Sequence, residues 1–360
     1  MVGMRVVDLR KLRSPHEMSH AQRSMLFPIM LPLSVVYGGA IRLWRELPVQ
    51  PVNVGIPVLS IGSILVGGTG KTPLCMLMAK GLAGWGRRVC IISRGYMRRS
   101  RHSPLEVSDG GRLMATVAEA GDEPYLMAKR LPGVCVVVAK DRVAAARVAS
   151  GAFRPDVFLL DDGFQSRRIF KDVDVVTVDA SSLRTRQAML PLGRLREDWA
   201  RIRPQHICVV LLEPGEPTPE ATLLERLPTK TVFYATYEEA VVLDAGGNRI
   251  GIETVRRDKV LILSGIASPA RFENTCSLAG IEAAASVRTD DHHWYTDRDA
   301  RKILDLMEHH GCKHVITTEK DFHKLPAELR DVAWVVRADL KIGDPRAFWD
   351  EIKRRMRGPV

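Results

Sequence analysis

Short apolar runs rich in β-branched residues recur along the 360-residue chain, each bounded by glycine, proline or charge. They cover 56–61, 88–93, 134–139, 156–160 and 174–178. Runs this short, without polar alternation, predict strands buried on both faces. Helical patterns lie between several of them: over 72–84 the side chains of Leu74, Leu77, Met78 and Leu82 fall on one face, and 123–130 reads as another helix. Strand alternating with helix predicts a parallel sheet covered on both sides. A stretch rich in proline and glutamate, 213–219, interrupts the series, and 231–237 reads as a linking strand. The pattern restarts with strands at 259–264, 283–287, 314–318 and 332–337. A chain this long exceeds what one core comfortably holds. The expected division is an N-terminal segment over 1–45, a larger α/β domain over 46–226 and a smaller α/β domain over 227–360.

The N-terminal segment departs from this pattern. Residues 25–41 are seventeen positions without a charge, followed by Arg42, Trp44 and Arg45. Pro28 and Pro32 are expected to break its early part, and its length is at the short limit for a span, so a helix lying in a membrane interface is expected. Tryptophan and arginine suit the headgroup zone. Arginines, rather than small residues at a cleavage site, follow the apolar stretch, so it is expected to remain on a cytosolic protein. The alternative is a helix buried against the rest of the fold.

Composition adds sign rather than shape. Lys plus Arg exceed Asp plus Glu by 53 to 42, a net charge of +11, which favours anionic partners. The basic residues are spread along the chain without a zinc-finger, RNA-binding or homeodomain pattern, so nucleic acid is not an expected partner. The six cysteines stand singly with no CxxC pair and read as reduced core thiols.

The strongest chemical signal follows the first strand of the larger domain. A glycine-rich segment runs through Gly67, Gly68, Thr69 and Gly70 into Lys71 and Thr72, which open the helix. Glycines let backbone N–H groups close on phosphate oxygens, and the helix N-terminus adds favourable potential. Lys71 is expected on the β- and γ-phosphates and Thr72 on Mg²⁺. The usual pattern has glycine six positions before the lysine, where this chain has Leu65. The expected fold class is therefore a P-loop NTPase-like parallel sheet flanked by helices, with a second, smaller α/β domain and an N-terminal membrane-associated helix.

Three acidic groups offer partners for that loop. Asp161 and Asp162 end the strand 156–160, where an acid faces the phosphates and holds the metal or its waters. Gly121-Asp122-Glu123-Pro124 opens a helix, where acids also serve simply to complement the dipole. Asp290-Asp291-His292-His293 gathers groups able to move a proton. Adjacent histidines rarely turn both rings to one ion, so acid/base work is preferred to zinc.

With these residues in view, the chain resembles the tetraacyldisaccharide 4'-kinase family from the apolar helix to the last strand. The resemblance rests on 67–73 (GGTGKTP), 93–96 (SRGY), 121–124 (GDEP), Asp141-Arg142, 161–165 (DDGFQ), 195–197 (LRE), 291–293 (DHH) and 318–321 (TEKD). It implies transfer of the ATP γ-phosphate to the 4'-hydroxyl of a tetraacyldisaccharide 1-phosphate at the cytoplasmic face of the bacterial inner membrane. That surface and the acylated disaccharide are the implied partners, with no obligatory protein partner. It further implies a dyad of Asp122 with His292 or His293, charge stabilisation by Arg94 or Arg196, metal-side roles for Thr72, Glu123, Asp161 and Asp162, and substrate contacts from Arg142, Gln165 and Glu197. Ser166 stands where a histidine usually follows DDGxQ, and Ala267-Ser268 replaces Gly-Asn before Pro269.

Overall fold

The computed structural model describes residues 4–10 and 20–356, so parts of the expected N-terminal segment (1–3 and 11–19) and residues 357–360 lie outside the described residues. The described chain divides into two compact units, one of 20–237 with 340–356 and one of 4–10 with 238–339.

The larger unit is built on a nine-stranded sheet. Its order is Leu340–Ile342, Val232–Tyr237, Ile207–Leu211, Val173–Asp179, Val58–Gly62, Val157–Leu160, Val89–Ser93, Cys135–Val138, Leu105–Asp109. The two edge strands pair antiparallel and every other pairing is parallel. The central strands Val58–Gly62, Val89–Ser93 and Ile207–Leu211 are buried at every residue, as continuous apolar runs require. Helices cover both faces. Lys71–Gly84 packs Leu74, Met78 and Leu82 into one core cluster, and Arg142–Phe153 packs Val143, Ala146 and Ala149 into another. The parallel strands place their carboxyl ends on one edge, where the loops that follow converge.

The expected boundary at 226/227 is displaced. Val232–Tyr237, read as a linking strand, hydrogen-bonds parallel to Ile207–Leu211 in the larger sheet. The chain then leaves for the second unit and returns at Leu340–Ile342, which pairs antiparallel with Val232–Tyr237. A return of this kind leaves no mark on local periodicity, since only pairing partners reveal it.

The smaller unit carries a seven-stranded sheet ordered Arg5–Asp8, Ala283–Arg288, Val260–Ser264, His314–Thr318, Ala333–Arg337, Val241–Leu243, Arg249–Ile250. The first five run parallel, and Val241–Leu243 and Arg249–Ile250 form an antiparallel margin. The edge strand Arg5–Asp8 comes from the N-terminus and pairs with Ala283–Arg288, so the expected 1–45 segment contributes a strand here as well as a helix.

That helix spans His20–Glu46 with Pro28 and Pro32 inside it, rather than being broken by them. Each proline removes one intrahelical N–H, a local cost that a 27-residue helix absorbs. Its part from Leu26 to Glu46 is long and apolar enough to cross a membrane, with 6% of that window buried. Phe27, Ile29, Leu31, Leu33, Val35, Val36, Leu43 and Trp44 are exposed. One stripe touches the rest of the unit: Ser34 Oγ donates to the Met189 carbonyl at 2.7 Å and Tyr37 Oη to the Arg196 carbonyl at 3.2 Å. The alternative of a helix buried against the fold does not hold.

Candidate active site

The strand Val58–Gly62 delivers the chain into the phosphate loop at the centre of the larger sheet's carboxyl edge. Gly62 is required by contact, because a Cβ there would lie 2.5 Å from that of Phe164. Ser63 and Leu65 anchor the loop: Ser63 Oγ donates to the Thr177 carbonyl at 2.7 Å, and Leu65 is wholly buried beside Leu195 and Phe164. The non-glycine residue at position 65 therefore serves as a core peg. Gly67 and Gly70 have φ of 92° and 78°, and Gly70 caps the helix Lys71–Gly84 in the left-handed conformation. Thr69 is buried and its hydroxyl lies 3.1 Å from that of Thr177, which ties the turn to the next strand.

Asp161 and Asp162 stand one strand away. Asp161 is 2% exposed, accepts from Ser93 Oγ at 2.9 Å through one oxygen, and keeps Oδ1 buried without a hydrogen-bond partner. Burial foremost, then the charges of Glu123 and Asp162, pushes its carboxyl up to about 7 against the pull of Ser93 and Lys71. Asp162 has φ of 48° and meets Arg196 Nη1 at 2.9 Å and Lys71 Nζ at 4.0 Å. Burial works to raise its pKa, but Lys71 and Arg196, aided by Arg142, hold it below the usual carboxylate range. Two neighbouring carboxyls are thus driven apart: one ionised against cations, one retaining a proton near neutrality.

The SRGY, GDEP and Asp141-Arg142 motifs arrive on the same edge. Asp122 and Glu123 open the helix Asp122–Arg130, and Asp122 is buried with Oδ1 accepting from the Glu123 N–H at 3.0 Å. A Cβ on Gly121 would lie 3.1 Å from the Tyr96 carbonyl, so the GDEP turn packs on the loop after Val89–Ser93 that carries the exposed Arg94. Arg142, at the first position of Arg142–Phe153, is buried rather than solvated. Its Nη1 donates to the Ala139 carbonyl at 2.7 Å and its Nε is buried without a hydrogen-bond partner. Burial lowers its pKa, Asp161 and Asp162 oppose that, and Arg94 adds to it.

The LRE segment lies alongside the phosphate loop. Leu65 and Leu195 bridge antiparallel, Val66 N–H donates to the Arg194 carbonyl at 2.9 Å, and Arg196 N–H to that of Ile64 at 2.7 Å. This pairing turns Arg196 to Asp162 and brings in a residue missed by sequence reasoning. Arg194 Nε donates to the Val66 carbonyl at 3.2 Å, and its Nη2 meets buried Asp179 at 2.9 Å. Asp179 ends the strand Val173–Asp179 beside the loop. An acid closing an apolar strand was the available signal, the same one that marked Asp161. Two expected substrate contacts have protein partners: Gln165 Nε2 donates to the Ser63 carbonyl at 2.9 Å, and buried Glu197 pairs with Arg45 and, at 3.5 Å, with Arg201.

His292 and His293 belong to the smaller unit and follow the carboxyl end of its strand Ala283–Arg288. His292 has φ of 60°, with Nε2 3.3 Å from Lys320 Nζ and 3.7 Å from Asp291. His293 Nε2 lies 3.3 Å from Asp299 and its ring meets Tyr295 edge-on at 5.0 Å. Beneath them Asp321 and Lys324, both wholly buried side chains, pair at 3.1 Å, and Asp321 accepts from the Gly265 N–H at 2.9 Å and Thr318 Oγ1 at 2.8 Å.

Among the described residues no group of three or more His, Cys, Asp or Glu forms a ready metal cage. The donors at the loop are hard oxygens: the Thr72 hydroxyl and the carboxylates Asp161, Asp162 and Glu123. Mg²⁺ keeps waters and takes one or two carboxylates plus phosphate oxygens, so this set, with the unmatched Asp161 Oδ1, fits it.

A glycine loop running from a parallel strand into a lysine- and threonine-headed helix, with an acid pair at the neighbouring strand end, defines a P-loop phosphate-handling α/β protein. The tetraacyldisaccharide-1-P 4'-kinase family matches residues 26–357. The chain belongs to that family and is a kinase. It is 40% identical over 301 residues to the tetraacyldisaccharide 4'-kinase of Anaeromyxobacter sp. (strain K), covering 81% of this chain and 79% of that one. It is 32% identical over 351 residues to that of Pelobacter propionicus, covering 96% of each. The crystal structure of the "apo" form of LpxK from Aquifex aeolicus in complex with ATP superposes with a TM-score of 0.72 at 29% identity, covering 92% of this chain and 99% of that one.

Proposed function

We propose that the chain transfers the γ-phosphate of ATP to the 4'-hydroxyl of a tetraacyldisaccharide 1-phosphate in lipid A biosynthesis, at the cytoplasmic face of the inner membrane. The observation that carries this reading is the convergence, on one sheet edge, of the phosphate loop, the Asp161-Asp162 pair, the GDEP turn and Arg196.

Lys71 and the backbone amides of 67–72 hold the β- and γ-phosphates, and Arg196 or Arg94 faces charge that develops on the transferring group. Thr72, Asp161, Asp162 and Glu123 would hold Mg²⁺, which when bound supplies charge neutralisation at the phosphates. Asp122 takes the proton of the attacking sugar hydroxyl as its oxygen bonds to phosphorus and ADP leaves. Buried Arg142, with its unmatched Nε, has the chemistry to take a phosphate oxygen. Gln165 and Glu197, which also fix Ser63 and the end of the apolar helix, contact the acceptor. The exposed face of Leu26–Glu46 lies in the bilayer, where the acyl chains of the acceptor also reside.

The direct test incubates labelled ATP and a monophosphorylated tetraacyl-disaccharide with the full chain in detergent. A bisphosphorylated lipid is expected. ATP hydrolysis at the same rate with and without the acceptor, and no labelled lipid, rejects the reading in favour of a nucleotide switch.

A further inference from the structure

The smaller unit holds its two adjacent histidines on different terms. His293 Nε2 lies 3.3 Å from Asp299, a carboxylate already fixed by the Thr296 N–H at 2.9 Å and hydroxyl at 2.7 Å, and its ring packs edge-on against buried Tyr295. That histidine fastens its loop. His292 stands in the left-handed region at φ 60°, a conformation that a residue other than glycine keeps only where its surroundings impose it. Two contacts do so here: its N–H donates to the Gly265 carbonyl at 3.2 Å, and its Nε2 meets Lys320 Nζ at 3.3 Å.

Both partners in the second contact are anchored on Gly265. Its carbonyl accepts from His292, and its N–H donates at 2.9 Å to Asp321, the neighbour of Lys320 in sequence. Asp321 is wholly buried, accepts from Thr318 Oγ1 at 2.8 Å and pairs with Lys324 at 3.1 Å. Glycine is required at 265, because a Cβ there would lie 2.6 Å from Thr289 Oγ1 and 3.0 Å from Asp321 Oδ1. The side chains of His292 and Lys320 are 10% and 15% exposed, so the contact is also shielded from water.

An ammonium has three donors and no acceptor, so the ring nitrogen facing it must offer a lone pair. Asp291 meets Lys320 Nζ at 3.2 Å but stands 3.7 Å from Nε2, too far to take a proton from that nitrogen in a hydrogen bond. We infer that Lys320 is a positioning residue for the DHH loop: it holds the His292 ring neutral with its proton on Nδ1, so that His292 acts as a donor through Nδ1. Free imidazole side chains favour the opposite tautomer. The nitrogen that carries the proton decides what an acid/base histidine can do. The bearing on turnover rests on the proposed kinase reading and on the proton-handling role that the resemblance implies for this motif, whereas the tautomer does not.

The test records two-bond ¹H–¹⁵N correlation spectra of the full chain labelled at histidine, with His292→Gln identifying the ring. The Nδ1–H form is expected in the wild type, in Lys320→Arg, whose side chain also only donates, and in Asp291→Asn. In Lys320→Met the Nε2–H form is expected to appear. An Nε2–H ring in the wild type overturns the inference without recourse to any variant at Lys320, as does loss of the Nδ1–H form in Asp291→Asn or an unchanged tautomer in folded Lys320→Met. Turnover of labelled ATP with the acylated acceptor gives the second readout. Lys320→Met is expected to lower kcat by about tenfold at constant KM for ATP, and Lys320→Arg to restore most of it. A kcat unmoved by Lys320→Met overturns the positioning role. Failure of the wild type to label the lipid rejects the kinase reading instead, and the spectra still decide the tautomer.

Discussion

Two carboxyl edges of largely parallel sheets gather the polar motifs of this chain, and they differ in how their buried charges are paired. On the larger sheet the polar groups are left short of partners: Asp161 Oδ1 and Arg142 Nε are buried and unmatched, and Asp161 is raised to about 7. On the smaller sheet Ser264 Oγ and Asp321 Oδ1 are also buried without a hydrogen-bond partner, but Asp321 has Lys324 as counter-ion at 3.1 Å and is joined to Gly265 and Thr318, with His292 beside Lys320 and His293 beside Asp299. An edge with unmet donors and acceptors is arranged for ligands that complete it. An edge with a buried ion pair beneath its histidines is arranged to hold those side chains in place.

The largest effect is expected at Asp122. If it removes the acceptor's proton, Asp122→Ala lowers kcat by about 10²–10⁴-fold while ATP affinity is kept, whereas Lys71→Ala damages both. Single-turnover kinetics with separately measured nucleotide binding reads the split. Equal turnover of wild type and Asp122→Ala removes the general base from the scheme.

On the smaller sheet the counterpart is Lys324→Met, which leaves Asp321 buried without its cation. The loss expected for breaking a buried pair is about 3–5 kcal/mol of stability. Denaturant unfolding should show it, with nucleotide binding by the larger unit unchanged. A midpoint unmoved by the substitution would mean that this edge is not held by its ion pair.

Arg194 sharpens the ligand side. Its contacts with Asp179 and the Val66 carbonyl hold the phosphate loop, so Arg194→Ala is expected to raise the KM for ATP by about tenfold with kcat nearly unchanged. A fall in kcat at constant KM would instead make Arg194 a partner of the transferring phosphoryl group.

How much of this could be read from the chain depends on the range of the interaction. The strands at 58–62, 89–93 and 157–160 and the helix after Lys71 announce themselves through continuous apolar runs and glycine placement, and the loop, the acid pair and GDEP follow from them. Leu65 looked like a flaw in the glycine pattern until its burial against Leu195 showed it to be an anchor. The return of Leu340–Ile342 to the larger sheet and the pairing of Arg5–Asp8 with Ala283–Arg288 join segments far apart in sequence, about which local periodicity is silent. The same holds for the pairing of Glu197 with Arg45.

The smallest expected effect tests whether the unmet edge is a metal edge. Asp161 retains its proton up to about 7 in the folded protein, above an unfolded value of about 3.9, so the protonated form favours folding. That contribution is full below the unfolded value and is lost as pH rises through about 7. A cation at Oδ1 requires the ionised form, so Mg²⁺ affinity should rise about tenfold between about pH 6 and about pH 8 and then level off. Calorimetric titration of Mg²⁺ with a bound non-hydrolysable nucleotide measures this, and proton release judged from buffers of different ionisation enthalpy should fall over the same range. Asp161→Asn should flatten the profile and remove the proton release. An unchanged pH profile in that variant would assign the titrating group elsewhere and leave Asp162, already ionised against Lys71 and Arg196, as the carboxylate that meets the ion.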